Sequence, residues 1–244
     1  MRINSPIINV HKKDNLKSEV VTQLLYGDTF SKIKKINSWI KIKNRRDKYK
    51  GYIKNNNFLN KISNSHKVSN LYANLYSKPK NKYKIKKKLS FGSRIKIIES
   101  EKSFCKFDNL WIKKKDIDDV NNRTKDLFKN IEKFINVKYK WGGKSFSGID
   151  CSALVQLMLN YNNKFCPRDT KDQIKYFKKK VILKNIKKNN LIFWRGHVAI
   201  ALSNKKLIHA YGPLKKVVVG SIKKTVDKIY QTANLKIIAI RKIS

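Results

Sequence analysis

Acidic residues are scarce in this 244-residue chain: 16 Asp and Glu stand against 58 Lys and Arg, a formal net charge of +42. Arginine is scarce too, so the side chain suited to bidentate reading of base edges is mostly missing. Only nine glycines, four prolines and three cysteines occur. Cys105, Cys151 and Cys166 form no CxxC pair and leave one cysteine over. That argues against a disulfide framework and a four-cysteine zinc site, and favours a reducing compartment. No apolar run approaches the roughly 18–20 residues of a membrane span. Met1-Arg2-Ile3-Asn4-Ser5-Pro6 leads into polar sequence, without the apolar core of a signal peptide. The expected location is therefore cytoplasmic, with export by another route left open.

Apolar material is ample, at 41% hydrophobic and 11% aromatic residues, which a disordered basic tail would lack. Lysine dominates the positive charge, and Asn and Ile are also abundant. All three share A/T-rich codons, so genome composition alone can generate this bias. The other reading is an anionic partner. The excess is spread along the whole chain, which fits a solvated coat better than a dedicated nucleic-acid site. Weak electrostatic binding to polyanions is the most it implies.

The first half contains a repeat. Tyr26-Gly27-Asp28-Thr29-Phe30 lines up with Phe91-Gly92-Ser93-Arg94-Ile95, and Trp39-Ile40-Lys41-Ile42 with Phe104-Cys105-Lys106-Phe107. Gly51-Tyr52-Ile53-Lys54 then matches Leu110-Trp111-Ile112-Lys113. Short β-branched and aromatic runs between Asn, Lys, Gly and Ser predict small antiparallel barrels. Cys105 takes the place of Ile40, so it reads as a packing residue. With Thr22-Gln23-Leu24-Leu25-Tyr26-Gly27-Asp28 and the later Gly51-Tyr52-Ile53, this order resembles bacterial SH3-like domains that accompany cell-wall peptidases. Such domains position substrate, bind wall material or act as spacers.

Beyond a polar stretch at 116–124 the period changes. Leu127, Ile131, Phe134 and Ile135 fall at helical spacing, with Thr124 as a candidate N-cap. A second helix is expected from Cys151, with Leu154, Leu157, Met158 and Tyr161 on one face. A third is expected at Thr170-Lys171-Asp172-Gln173, a capping-box pattern. Strand-like runs follow at 191–194, 198–202, 206–211 and 235–240. Helices first and strands afterwards indicate an α+β domain.

Three of the nine glycines, Gly142, Gly143 and Gly148, precede Cys151 within ten residues. That density suggests positive φ or close backbone approach. Asp150 sits where an N-cap would, placing Cys151 at the first helical position, where the helix end favours thiolate. A thiolate nucleophile needs a base and an orienting group. His11 and His66 lie among polar residues and read as surface histidines, whereas His197 and His209 lie in adjacent strand-like runs. For both to face one side, residues of like parity must pair, for example Ala199 opposite His209.

Tyr139-x-Trp141-Gly142-Gly143-x4-Gly148-x-Asp150-Cys151-Ser152-x-Leu154-Val155-Gln156, Pro167-Arg168-Asp169, Leu191-Ile192-Phe193, His197-Val198-Ala199-Ile200 and Ile208-His209-Ala210 closely resemble the NlpC family of papain-like cysteine peptidases. Members cleave bonds to D-glutamate and diamino acids in peptidoglycan stem peptides. Those with tandem SH3-like domains often act on short muropeptides with free N-terminal L-Ala. The resemblance implies Cys151 as nucleophile, His197 as general base, and His209 as the polar group orienting it. It places Tyr139 by the oxyanion hole, and Asp150 and Ser152 beside the nucleophile. Asp150 is implied to hold a substrate amine, with helix capping as the alternative or companion role. Arg168 faces either a substrate carboxylate or a structural partner. Two positions depart from the family pattern: Asn189-Asn190 replaces the usual Gly-Asp, and Ala153 replaces a Gly.

The chain is thus expected to be multidomain: two small all-β SH3-like barrels, at 1–60 and 61–120, followed by an α+β papain-like catalytic domain at 121–244. The expected function is hydrolysis of the γ-D-glutamyl-diamino acid bond through a thioester at Cys151, with no cofactor, no metal and peptidoglycan-derived peptides as partners. Two alternatives stay open: a zinc site using one Cys and two His, and a non-catalytic module binding wall polymer or polyanion.

Overall fold

The computed structural model describes residues 1–243. The chain forms two compact units. One comprises Met1–Thr124 with Gly142–Phe146 and Tyr161–Asn163; the other comprises Lys125–Trp141, Ser147–Asn160 and the chain from Lys164 onward.

The first unit is all β through residue 119. It begins with β1 (Ile7–His11), β2 (Val20–Leu25), β3 (Phe30–Ile36), β4 (Trp39–Asn44) and β5 (Lys50–Lys54), in sheet order β2-β1-β5-β4-β3. Next come β6 (His66–Val68), β7 (Tyr72–Tyr76), β8 (Lys84–Ser90), β9 (Arg94–Ile95), β10 (Glu99–Glu101), β11 (Phe104–Phe107), β12 (Leu110–Lys113) and β13 (Ile117–Asp119). Their larger sheet runs β8-β7-β12-β11-β10, the same order as the first, and β13-β6-β9 form a second, three-stranded sheet.

The repeat extends to side chains. Val10, Leu24, Phe30, Ile40, Ile42 and Ile53 bury one core, and Leu75, Leu89, Ile95, Cys105, Phe107 and Ile112 bury the other. Strand alternation turns the intervening residues to the opposite face. There His11 pairs with Tyr52, Trp39 with Lys54 and Lys41 with Tyr52; in the second copy Tyr76 pairs with Trp111, Phe104 with Lys113 and Lys106 with Trp111. Lys41 and Lys54 lie over the Tyr52 and Trp39 rings, at 5.6 and 5.8 Å from their centroids. Lys106 and Lys113 stand 5.6 and 5.9 Å from the Trp111 and Phe104 centroids. Each copy therefore covers an outer aromatic cluster with two lysine stems. His11 is buried, not a surface histidine: it sits edge-on to Trp39 and its Nδ1 lies 3.0 Å from the Ser18 carbonyl. Cys105 is buried where Ile40 lies in the first copy.

The second unit holds β15 (Gly148–Ile149), which follows β14 (Lys144–Ser145) in the chain. Next come α1 (Cys151–Tyr161), α2 (Thr170–Tyr176), β16 (Asn190–Trp194), β17 (His197–Ala201), β18 (Lys206–Tyr211), β19 (Lys216–Ser221), α3 (Ile222–Ala233) and β20 (Ala239–Lys242). The sheet order is β19-β18-β17-β16-β20, antiparallel throughout.

Three local expectations are corrected. Residues 125–135 are turns with a single 3-10 turn, Ile131–Phe134, not an α-helix. A 3-10 turn also aligns residues i and i+3, so burial of Ile131 and Phe134 produces the same apolar spacing. Thr124 N–H and Oγ1 both bond to Asn162 Oδ1, at 2.8 and 3.0 Å. α2 starts at Thr170 with Asp169 as N-cap and no side-chain capping bond, and the Gln173 amide donates to the Ser152 carbonyl. The sequence reading also missed β19 and α3. Their signal was present: Ser221 Oγ accepts the Lys224 N–H at 3.4 Å, and Ile222, Val226 and Ile229 pack on one core.

Glycine is required where backbones meet. Gly27 has φ +83°, and a Cβ there would lie 1.9 Å from the Arg94 carbonyl oxygen. Gly196 has φ +74° with open space around it. Gly27→Ala is therefore expected to lose roughly 3 kcal/mol or more, and Gly196→Ala only about 1–2 kcal/mol. Thermal unfolding of the two variants checks the difference.

Candidate active site

Cys151 is the first residue of α1 and is buried. Asp150 ends the preceding extended chain and caps the helix: its Oδ1 accepts the Ala153 N–H at 2.8 Å. The same carboxylate is gripped from the side by Arg168. Arg168 Nη1 donates to Asp150 Oδ1 at 3.0 Å and to Ser152 Oγ at 2.8 Å, while its Nη2 donates to Asp150 Oδ2. Ser152 Oγ donates to Asp150 Oδ1 at 3.2 Å. All three residues are buried. The Arg168 guanidinium thus engages Asp150 and Ser152.

A second tie holds this loop. Gln173 Nε2 donates to the carbonyls of Ser152 and Pro167, both at 3.0 Å, and lies 3.4 Å from Cys166 Sγ. Gln156 Nε2 donates to the Cys166 carbonyl at 3.0 Å. Residues 166–168 are pinned to the start of α1 from two helices, and Cys166 is a buried packing thiol within that joint.

The sheet supplies the histidines. The β17–β18 register pairs Ile200 with Ile208 and Ala201 with Leu207, which puts Ala199 opposite His209 as the parity argument requires. His197 Nε2 and His209 Nδ1 lie 2.8 Å apart. Tyr211, two residues beyond His209, stacks on its ring at 4.7 Å and 11°, and Trp194 pairs with His197 across the sheet. Neither was anticipated, although the period of two already placed Tyr211 beside His209. Asn189-Asn190 also finds its explanation. Asn189 adopts φ +70°, the conformation glycine would supply, and Asn190 Oδ1 accepts the Lys187 N–H at 2.8 Å.

Tyr139 comes from a segment paired with β19: its N–H donates to the Lys215 carbonyl at 2.8 Å, and its ring packs 3.6 Å from where a Gly212 Cβ would lie. Burial raises its phenol above the usual range, and nearby Cys151 and Asp150 push the same way. The phenol is thus a protonated donor. The Cys151 thiol is pushed up to about 11, first by burial and then by Asp150. The backbone N–H groups of Val198 and Ser152 and the Arg168 charge act in the opposite direction but are outweighed. Desolvation thus works against the helix-end effect at this thiol. Burial lowers His197 to about 4 and His209 to about 3, His209 also feeling His197. Burial thus favours the neutral forms of the thiol and of both imidazoles. Among the described residues, no cluster of three His, Cys, Asp or Glu side chains is placed to hold a metal.

Two predictions follow from these groups. Removing one partner of a buried ion pair strands the other, so Arg168→Met is expected to destabilise by about 3–5 kcal/mol. Arg168→Lys loses the fork and recovers only part of this. Adding Asp150→Asn to Arg168→Met should cost less than the sum of the singles, as read by urea unfolding. Both histidines are held neutral, so below about pH 6.5 the unfolded chain takes up protons that the fold excludes until about pH 4 and 3. Stability should therefore fall as pH drops from 6.5 towards 4, and His197→Gln should flatten that fall.

Known proteins match the same regions. Residues 136–236 match the NlpC/P60 family, and residues 7–59 match the bacterial SH3 domain. Dipeptidyl-peptidase 6 of Lysinibacillus sphaericus is 24% identical over 228 residues, covering 83% of this chain and 84% of that protein. Gamma-D-glutamyl-L-lysine dipeptidyl-peptidase of Bacillus subtilis is 26% identical over 153 residues, 57% of this chain and 51% of its own. The crystal structure of an NlpC/P60 family protein from Bacillus cereus shares the fold with a TM-score of 0.81 at 17% identity, covering 99% of this chain and 98% of that one. With Cys151, His197 and His209 all inside the matched span, the chain carries an NlpC/P60 domain, that of a cysteine peptidase family, behind a bacterial SH3 domain.

Proposed function

We propose that this protein hydrolyses the γ-D-glutamyl-diamino acid bond of short peptidoglycan-derived peptides carrying a free N-terminal L-Ala. The observation that carries the reading is the 2.8 Å His197–His209 pair in the same unit as a cysteine at a helix start. The names of the two dipeptidyl-peptidase relatives support the substrate class.

In the proposed reaction His197 uses Nε2 towards His209 and receives the thiol proton on Nδ1 as Cys151 Sγ attacks the scissile carbonyl. Proton transfer accompanies attack because the resting pair is neutral. The oxyanion is stabilised by the Cys151 backbone N–H and the Tyr139 hydroxyl. Collapse breaks the C–N bond, and His197 returns the proton to the leaving amine. Water, deprotonated by His197, then attacks the thioester and releases the carboxylate and the thiol. His209 orients and polarises His197. Asp150, Ser152 and Arg168 hold Cys151 in place, and the fixed Asp150 carboxylate faces the substrate amine.

The β6–β13 region is proposed as a second SH3-like copy, supported by identical strand order and the duplicated aromatic–lysine register. Neither copy supplies a proposed catalytic group.

Cys151→Ala should abolish turnover of L-Ala-γ-D-Glu-L-Lys, followed by chromatography of the released dipeptide. The N-acetylated peptide and intact sacculi should remain uncleaved; cleavage of either at a comparable rate overturns the free-amine reading. Alkylation by iodoacetamide should climb through the alkaline range, and a plateau below pH 7 would contradict a neutral resting thiol.

A further inference from the structure

The second unit contains an open cavity of about 620 Å³ that shares no residue with the cysteine site. It opens at the Asn190–Lys242 end of the β16–β20 pair, whereas His197 pairs with Trp194 at the other end of β16. At about 3.3 Å per residue the two ends are roughly 13 Å apart. Five lysines line it: Lys125, Lys180, Lys187, Lys188 and Lys242. Lys188 is paired with Asp126 at 2.7 Å. Among the described residues the other four have no acidic partner within salt-bridge distance. These residues border one open concavity whose walls include Leu127 and Val181, and clustered like charge beside low-dielectric walls raises the local potential.

We infer that this cavity is an anion-binding site for a phosphate-bearing polymer without bases, such as a chain of phosphodiesters joined by short carbon spacers. Several separated charges call for an extended polyanion and not a single ion. Lysine ammonium groups are point donors that suit phosphate oxygens spaced along a chain, while a carboxylate ligand is matched best by the arginine fork, which the cavity lacks. No aromatic side chain lines it, so a nucleobase would find nothing to stack on. Apolar patches between the lysines suit the carbon spacers. The inference is independent of the peptidase reading, since it involves none of that site's residues. It would tether the enzyme to an anionic polymer while leaving the cysteine site open.

The test uses a synthetic glycerol phosphate oligomer, with binding followed by fluorescence anisotropy at 0.15 M salt. The full-length triple variant Lys180→Ala, Lys187→Ala, Lys242→Ala is expected to bind at least tenfold more weakly, with a salt slope smaller by about 2. The charge-matched triple Lys171→Ala, Lys175→Ala, Lys228→Ala, on exposed helix positions, should stay within twofold of the parent. Unfolding midpoints of both triples confirm that each is folded. Absence of binding by the parent chain, equal losses in the two triples, or equally tight binding of an oligonucleotide or poly-glutamate of the same charge would each overturn the inference.

Discussion

The forked ion pair between Arg168 and Asp150 is the constraint on which the cysteine site depends. Asp150 is at once helix cap, ion-pair partner and neighbour of Cys151, so the position of the thiol follows from the satisfaction of one buried carboxylate. That carboxylate accepts from the Ala153 N–H, the Ser152 hydroxyl and both ends of a guanidinium. Burying such a pair costs the desolvation of both ions, which makes it a device for a single geometry more than a source of net stability. Gln173 acts in the same sense, tying the loop that carries Arg168 to the carbonyl of Ser152.

The electrostatic state of the site follows from burial. A helix N-terminus and an adjacent arginine both favour thiolate, yet neither offsets the desolvation of Cys151, and the carboxylate that fixes the helix opposes it directly. The histidines are neutral for the same reason. Beyond the Arg168–Asp150 pair, burial disfavours separated charge in the site.

Composition shaped the rest of the chain in ways that were partly readable. A glycine-poor, asparagine-rich protein still needs left-handed turns, and it closes many of them with Asn37, Asn136, Asn163, Asn189 and Asn234, all at positive φ. Asparagine tolerates that region because its short amide bonds locally to the backbone. The departure at Asn189-Asn190 is one case of this general substitution and leaves the β16 entry intact. The lysine excess likewise finds structural uses, as Lys41, Lys54, Lys106 and Lys113 roof aromatic clusters that would otherwise be wet.

The repeat of the first half, the helix beginning at Cys151 and the strands bearing His197 and His209 were legible in the sequence, because they rest on periodicity and on spacing within one element. Parity alone restricted which residues of the neighbouring strand could face His209. The sequence did not determine the 3-10 turn at Ile131–Phe134, since that turn and an α-helix share the i, i+3 spacing. Nor could it reveal that His11 is buried, that Arg168 belongs to Asp150, or that lysines 55 residues or more apart in the chain, such as Lys125 and Lys180, line one cavity. Those facts depend on long-range packing. Local residues state which chemistry is possible, but desolvation and partner choice are properties of the folded neighbourhood, and these decided the protonation of the thiol and the role of its arginine.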